Sequence, residues 1–296
     1  MISLRQLRYL QALSKHLHFG RAAESVSVSQ PALSMQIREL ETYLGITLVE
    51  RQSNAVHLTR EGQEVMMRAE RILAEVRDLV DYARQVSLPL SGPLRLGIIP
   101  SIAPYLLPKV LPKITKTHPD LELTIRETLT ETLSRELQTG DLDAVIAALP
   151  MDGAGLVSAE IFEDRFLLAR KTDPTIDPKK RAEVCDLDGT NLLLLEEGHC
   201  LRDQALNYCQ NIPSPSRNTL GATSLATVIQ MVAAGYGVTL LPEICADVEV
   251  RDERVLLQRF AEPQPRRMVG LIWRKSSPRH QDFEVLAETL SGLLNA

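Results

Sequence analysis

The chain has 296 residues, a net charge of −5, 44% hydrophobic and 24% charged residues, and four cysteines; that length suffices for two or three units, each with its own core. Met1-Ile2-Ser3-Leu4 leads into charged residues without a signal peptide, and no apolar run approaches the ~20 residues that span a bilayer. Four cysteines without framework-like spacing fit a reducing compartment, so a cytoplasmic location is expected, with no membrane partner.

The charge is unevenly spread. Residues 1–60 hold seven Lys/Arg against four Glu, a net of +3 that leaves −8 on the rest. A basic head on an acidic body points to an anionic partner for the head, although an ordinary solvated surface has the same balance. Leu4, Leu7, Leu10, Leu13 and Leu17 fall at helical spacing and predict a first amphipathic helix. "GRAAESVSV" predicts a short second one, and "SQPALSMQIRELETYLG" a third. Ser29 caps that third helix, Pro31 is tolerated in its first turn, and Gly45 ends it. Leu33, Ile37, Leu40 and Leu44 form its buried stripe; Pro31, Ser34, Met35 and Arg38 cluster opposite, with Gln30 at the edge. "LVERQSNAVHLT" predicts two short strands around Ser53-Asn54, a wing that places Arg51 beside a nucleic-acid backbone. Gln30 suits an adenine edge, while hydroxyls and Arg suit phosphates. On spacing alone a plain helical bundle explains these elements equally well.

The residues "FGRAAESVSVSQPALSMQIRELETYLGITLVER…LTREG" resemble the N-terminal winged helix-turn-helix of LysR-type transcriptional regulators across the first sixty positions. The resemblance implies DNA binding by Ser29, Gln30, Pro31, Ser34, Met35, Arg38 and Arg51. Met35 stands where many members have Arg, which removes one cationic contact.

A long helix is predicted from Thr59 to about Val86. Val65, Ala69, Ile72, Val76, Leu79 and Ala83 step by 4, 3, 4, 3 and 4, a heptad seam that fits pairing with a second helix or packing on the chain's own body. The resemblance implies a dimerisation helix. "SLPLSGP" reads as a hinge, giving expected regions 1–60, 61–92 and 93–296.

Beyond the hinge, "LRLGIIP", "LELTIRE", "LDAVIAAL", "FLLARK", "NLLLLEE" and "YGVTLLP" read as strands. Between them "YLLPKVLPKITKTHP", "TETLSRELQTG" and "SLATVIQMVAAG" read as helices. The alternation predicts a largely parallel α/β region, with cleft residues at Pro100-Ser101, Glu127-Thr130 and Ala222-Ser224. "GLIWRK" is expected to return to the first half. This pattern resembles the effector domain of the same family, two α/β subdomains around a cleft as in periplasmic binding proteins. No Walker A, HExxH, GxSxG or CxxC motif occurs, and the six histidines lack ligand spacing, so no metal, cofactor or enzyme activity is expected.

"GHCLRDQALNYC" sets Cys200 and Cys209 nine positions apart in a helix-forming run. A continuous helix would separate them by about 13.5 Å, whereas a disulfide needs Cα atoms within ~7 Å. The pair therefore joins only if the segment refolds. His199, Arg202 and a helix N-terminus place positive charge near Cys200; Glu196, Glu197 and Asp203 oppose it, leaving the balance open. Together with "GIIPSIAPYLLP", "ATSLATVIQMVAAGYGVTLLP" and "PRRMVGLIWR", this stretch resembles the OxyR-like, peroxide-sensing members of the family. The resemblance implies oxidation of Cys200 by hydrogen peroxide, condensation with Cys209, and a peroxide pocket of Ser101, Thr130, His199 and Arg267. Ser101 replaces the usual Thr, and whether Arg266 or Arg267 faces inward is open. It further implies promoter DNA, dimer and tetramer assembly, RNA polymerase and a thiol reductant as partners. A small organic effector in the cleft is the alternative signal, and a thiol peroxidase with a DNA-binding head the alternative class. Cys185 and Cys245 have no such context and are expected to be inert.

Overall fold

The computed structural model describes residues 1–51, 56–85, 90–177, 179–187, 189–209 and 222–294. It divides into two units, one of Met1–Val86 with Gln138–Asp141 and one of Ser87–Leu137 with Leu142–Ala296.

In the first unit, Ser3 and Gln6 form a reciprocal cap that opens α1 (Leu4–His16). Leu7, Leu10 and Leu13 of the expected stripe are buried. Leu4 and Leu17 are exposed, because the helix begins at one and stops at the other, Leu17 being a left-handed cap at φ 48°. His18 Nδ1 accepts from the Gly20 and Arg21 N–H groups and starts α2 (Phe19–Ser25). In α3 (Gln30–Leu44), Leu33, Ile37 and Leu40 are fully buried. Gln30, Pro31, Met35 and Arg38 are exposed and Ser34 is half-buried. Strands β1 (Val49–Arg51) and β2 (Val56–Leu58) pair antiparallel as the wing. Glu41 of α3 anchors its base by accepting from the Leu48 and Val49 N–H groups. The Ser53-Asn54 tip and the Arg51 side chain lie outside the described residues.

The long helix α4 runs Arg60–Gln85. Its predicted seam divides. Val65 and Ala69 pack with Met66 and Leu73 into the head's own core. Ile72 and Leu79 are exposed and Val76 is half-buried. The Ala83 side chain and hinge positions 87–89 lie outside the described residues.

In the second unit, β3 (Gly92–Ile98) is parallel to both β4 (Leu121–Glu127) and β5 (Ala144–Leu149). Helices α5 (Ala103–Thr117) and α6 (Thr130–Gln138) fall between these strands in sequence. Strand β9 (Arg266–Arg274) returns antiparallel to β5, as "GLIWRK" predicts, and pairs on its other side with β6 (Leu156–Lys171). Strand β6 then pairs antiparallel with β7 (Thr239–Pro242) and β8 (Val255–Arg259). The sheet is therefore mixed, not largely parallel. Periodicity gives strand existence but not direction, and the 16 residues of β6 are long enough to serve two cores. "NLLLLEE" forms only isolated bridges, Leu192 with Val238 and Leu195 with Ala222. The first core carries Trp273 against Phe283; the second gathers Leu201, Ala205, Phe260 and α8 (Leu225–Ala234). The last helices are α7 (Cys200–Tyr208), α9 (Ala246–Glu249) and α10 (His280–Leu294).

Candidate functional site

Because β3 and β4 are parallel neighbours, their C-terminal ends open side by side. Ile99, Pro100 and Ser101 follow the first strand; Leu129 and Thr130 follow the second, with Thr130 opening α6. Gly198 sits at φ +92°, where a Cβ would also meet Leu129 Cδ1 at 3.2 Å, and its turn delivers His199 and Cys200 to the start of α7. Ser101, Thr130, His199 and Cys200 line one cavity, with Ile99, Leu129 and Leu201 among its apolar walls. Its free volume of about 10 Å³ admits a single water-sized molecule.

The polar groups differ in how they are satisfied. Ser101 Oγ accepts a 2.9 Å bond from Arg267 Nη1. Thr130 Oγ1 is buried and has no hydrogen-bond partner among the described residues, an unmet demand at the cavity wall. Burial lowers the His199 pKa from its ordinary value, so the ring is neutral near pH 7 and not the local cation expected beside Cys200. Arg202 Nη1 donates to the Leu195 carbonyl at 3.0 Å.

Cys200 is half-exposed and Cys209 buried, both as free thiols. Helix α7 runs unbroken from Cys200 to Tyr208 and Cys209 caps it, so about nine helical steps separate the two sulfur-bearing residues. Burial raises the Cys209 thiol to about 11 and keeps it protonated. Cys245 is wholly buried, its Sγ 3.7 Å from the Ser101 carbonyl, and burial raises its pKa as well. Cys185 is exposed beside the Glu183 carboxylate, whose hydrogen bond raises its pKa.

Of the two neighbouring arginines, Arg267 is buried and Arg266 exposed, as strand alternation requires. Arg267 does not itself line the cavity. Its guanidinium is engaged by Asp164 and Ser101, and it stands one residue behind the wall. Asp164 went unread in the sequence because nothing local marks it; only the β6–β9 register sets it opposite Arg267. Gln204 lies one turn after Cys200 and outside the cavity lining, with Oε1 buried and unpartnered among the described residues. Ala222–Ser224 do not line the cavity. Among the described residues, no cluster of metal-ligating side chains occurs.

Residues 4–63 match the family described as bacterial regulatory helix-turn-helix protein, lysR family, and residues 88–294 match the LysR substrate binding domain. The chain belongs to the LysR family. Its fold is accordingly a winged helix-turn-helix, a long linker helix and a periplasmic-binding-protein-like α/β domain of two subdomains. Among LysR-family relatives, the chain is 41% identical over 98% of its length to an Escherichia coli protein, covering 95% of it. That protein is named DNA-binding transcriptional dual regulator OxyR in strain K12 and hydrogen peroxide-inducible genes activator in others. This chain is also 42% identical to the HTH-type transcriptional regulator EstR of Acinetobacter baylyi, over 97% of this chain and 96% of that one. Among solved structures, a full-length Pseudomonas aeruginosa OxyR with a cysteine-to-aspartate substitution matches at TM-score 0.80 and 36% identity, covering 98% of this chain and 95% of that one.

Proposed function

We propose that this LysR-family regulator reads hydrogen peroxide at Cys200 and reports it to promoter DNA through a Cys200–Cys209 disulfide, controlling oxidative-stress genes. The observation that carries the reading is a cavity for one small polar molecule, walled by a cysteine and an unpartnered hydroxyl. In the first step the Cys200 thiolate bonds to one peroxide oxygen and the O–O bond breaks. Sulfur loses two electrons, giving a sulfenic acid, and the departing hydroxide takes up a proton to become water. In the second, the Cys209 sulfur attacks that of Cys200 and a second water leaves. A thiol reductant resets the pair, so each protein signals once per reduction and acts as a sensor, not an enzyme.

The remaining assignments follow the same reading. Exposed Gln30, Pro31, Met35 and Arg38, with Ser29, Ser34 and Arg51, face the operator. Ile72, Val76 and Leu79 give α4 an apolar stripe for a second copy, the spacing continuing in sequence to Ala83, with Val65 and Ala69 tying it to the head, in a dimer that assembles into a tetramer. RNA polymerase is the downstream partner, and the site of action is the cytoplasm. No helix of the described residues is long and apolar enough to cross a membrane.

Overall identity does not by itself name the signal, since the chain is 41% identical to OxyR of Escherichia coli and 42% identical to EstR of Acinetobacter baylyi. The site's chemistry supports peroxide: a cysteine and an unpartnered hydroxyl share a cavity with room for one water-sized molecule. The test is peptide mapping of thiols with operator footprinting, before and after stoichiometric hydrogen peroxide. Cys200→Ser should keep DNA binding and lose the footprint shift; Cys209→Ser should form a sulfenic acid without a bridge. A shifted footprint with both thiols unbridged would overturn the disulfide. A shift caused by an organic ligand alone would favour the alternative.

A further inference from the structure

Behind the cavity wall lies a buried ion pair that the peroxide chemistry above does not use. Asp164 on β6 and Arg267 on β9 are register partners, and their side chains are 1% and 2% exposed. Arg267 Nε and Nη2 both reach Asp164 Oδ2, at 2.9 and 2.8 Å. The other carboxylate oxygen accepts the Ile244 N–H at 3.1 Å. Nη2 also donates to the Ser101 carbonyl at 3.1 Å, and the Phe166 ring lies 5.9 Å from the guanidinium carbon. With that edge fixed, Nη1 is aimed at Ser101 Oγ.

We propose that Asp164 is a positioning residue for Cys200 oxidation: by orienting Arg267, it makes Ser101 an acceptor on its protein side and a donor on its cavity side. The reasoning is donor bookkeeping. A guanidinium has donors only, so Ser101 Oγ cannot donate to it, and the hydroxyl proton must find another acceptor. Ser101 is 4% exposed and lines the cavity that holds Cys200. A peroxide there is the acceptor in reach. As the O–O bond breaks, negative charge grows on the departing oxygen, and a preoriented hydroxyl stabilises it without reorganising at that moment. A pair kept only for stability has little reason to be ionic, since apolar residues of similar volume often serve as well in a buried site.

The inference rests on the peroxide reading of Cys200, and the experiment separates the two. The full-length reduced protein is reacted with excess hydrogen peroxide and, in parallel, with iodoacetamide, which needs no donor from Ser101. Asp164→Asn and Ser101→Ala should each slow peroxide oxidation of Cys200 about tenfold, the weight of one hydrogen bond. The two together should lose no more than either alone, and alkylation should stay at the wild-type rate. If Asp164→Asn does not fold, Asp164→Leu combined with Arg267→Met removes both charges and should match Ser101→Ala. A wild-type rate in the Asp164 variants, multiplicative losses in the double variant, or equal slowing of peroxide and iodoacetamide would overturn the positioning role. A wild-type Cys200 no faster with peroxide than free cysteine would instead bring down the peroxide reading itself.

Discussion

Helices α3 and α7 are closed at their ends in opposite ways. In α3, Ser29 Oγ accepts the Ala32 N–H, a proline sits in the first turn, and Gly45 ends the helix at φ 70°. Fifteen residues drive three wholly buried side chains into the head's core. In α7, His199 occupies the cap position without a side-chain cap bond, no glycine closes the far end, and nine residues bury only Leu201 and Ala205. A helix that short is marginal without its packing. The contrast shows where shape is fixed and where it is negotiable. The helix that carries the exposed Gln30, Met35 and Arg38 is secured by its own sequence. Under the proposed switch, the helix between the two thiols holds its form only while its packing outweighs a covalent bond that needs it open.

The largest effect expected from this contrast lies in α3. Leu33→Ala should cost the head about 2–5 kcal/mol, the loss for a fully buried leucine. Operator affinity should collapse while Cys200 still oxidises at the wild-type rate, as read by gel shift and thiol mapping of the same sample. Parallel loss of both activities would show that the head does not stand on its own caps and core.

A second expected effect is a pH dependence at the far end of α7. Burial raises Cys209 to about 11, above the ordinary thiol value near 9. The packed form therefore keeps its proton where an opened form would release it. The stabilisation is fully present below pH 9 and is lost as pH rises through 11. Labelling of Cys209 by a disulfide reagent should climb over that window more steeply than thiolate fraction alone explains. A labelling curve that follows an ordinary exposed thiol would show that Cys209 is not sheltered.

Much of this was legible in the sequence, for identifiable reasons. Caps and helical spacing are local, so Ser29, Gly45, the α3 stripe and the long α4 were readable from neighbours alone. The cavity residues Thr130, His199 and Cys200 sit at helix starts and Ser101 in the turn between β3 and α5, where motif and chemistry coincide. What could not be read is what depends on pairing across the chain. Strand direction at β5–β9, the bridges in place of a strand at Leu192–Leu195, and the Asp164–Arg267 pair are set by register between distant segments. The α4 seam is apolar along its length, but its period cannot say that Val65 and Ala69 meet the chain's own core while Ile72 and Leu79 stay exposed.

The smallest effect is the most direct probe of α7. Ala205 lies midway along the helix, and replacing it with glycine weakens the folded segment by about 0.5–1 kcal/mol through backbone entropy. If the helix must open before Cys209 reaches an oxidised Cys200, that loss lowers the cost of opening by the same amount. Bridge formation should then run about two- to fivefold faster, since 1.4 kcal/mol corresponds to a factor of ten. The first oxidation should not change, because Cys200 begins the helix and Ser101 and Thr130 come from other elements. Trapping the sulfenic acid at timed intervals measures both steps in one experiment. A faster second step with an unchanged first would place helix opening on the route to the disulfide. A second step that is unchanged or slower would mean that α7 need not unwind, and the contrast with α3 would then describe packing alone.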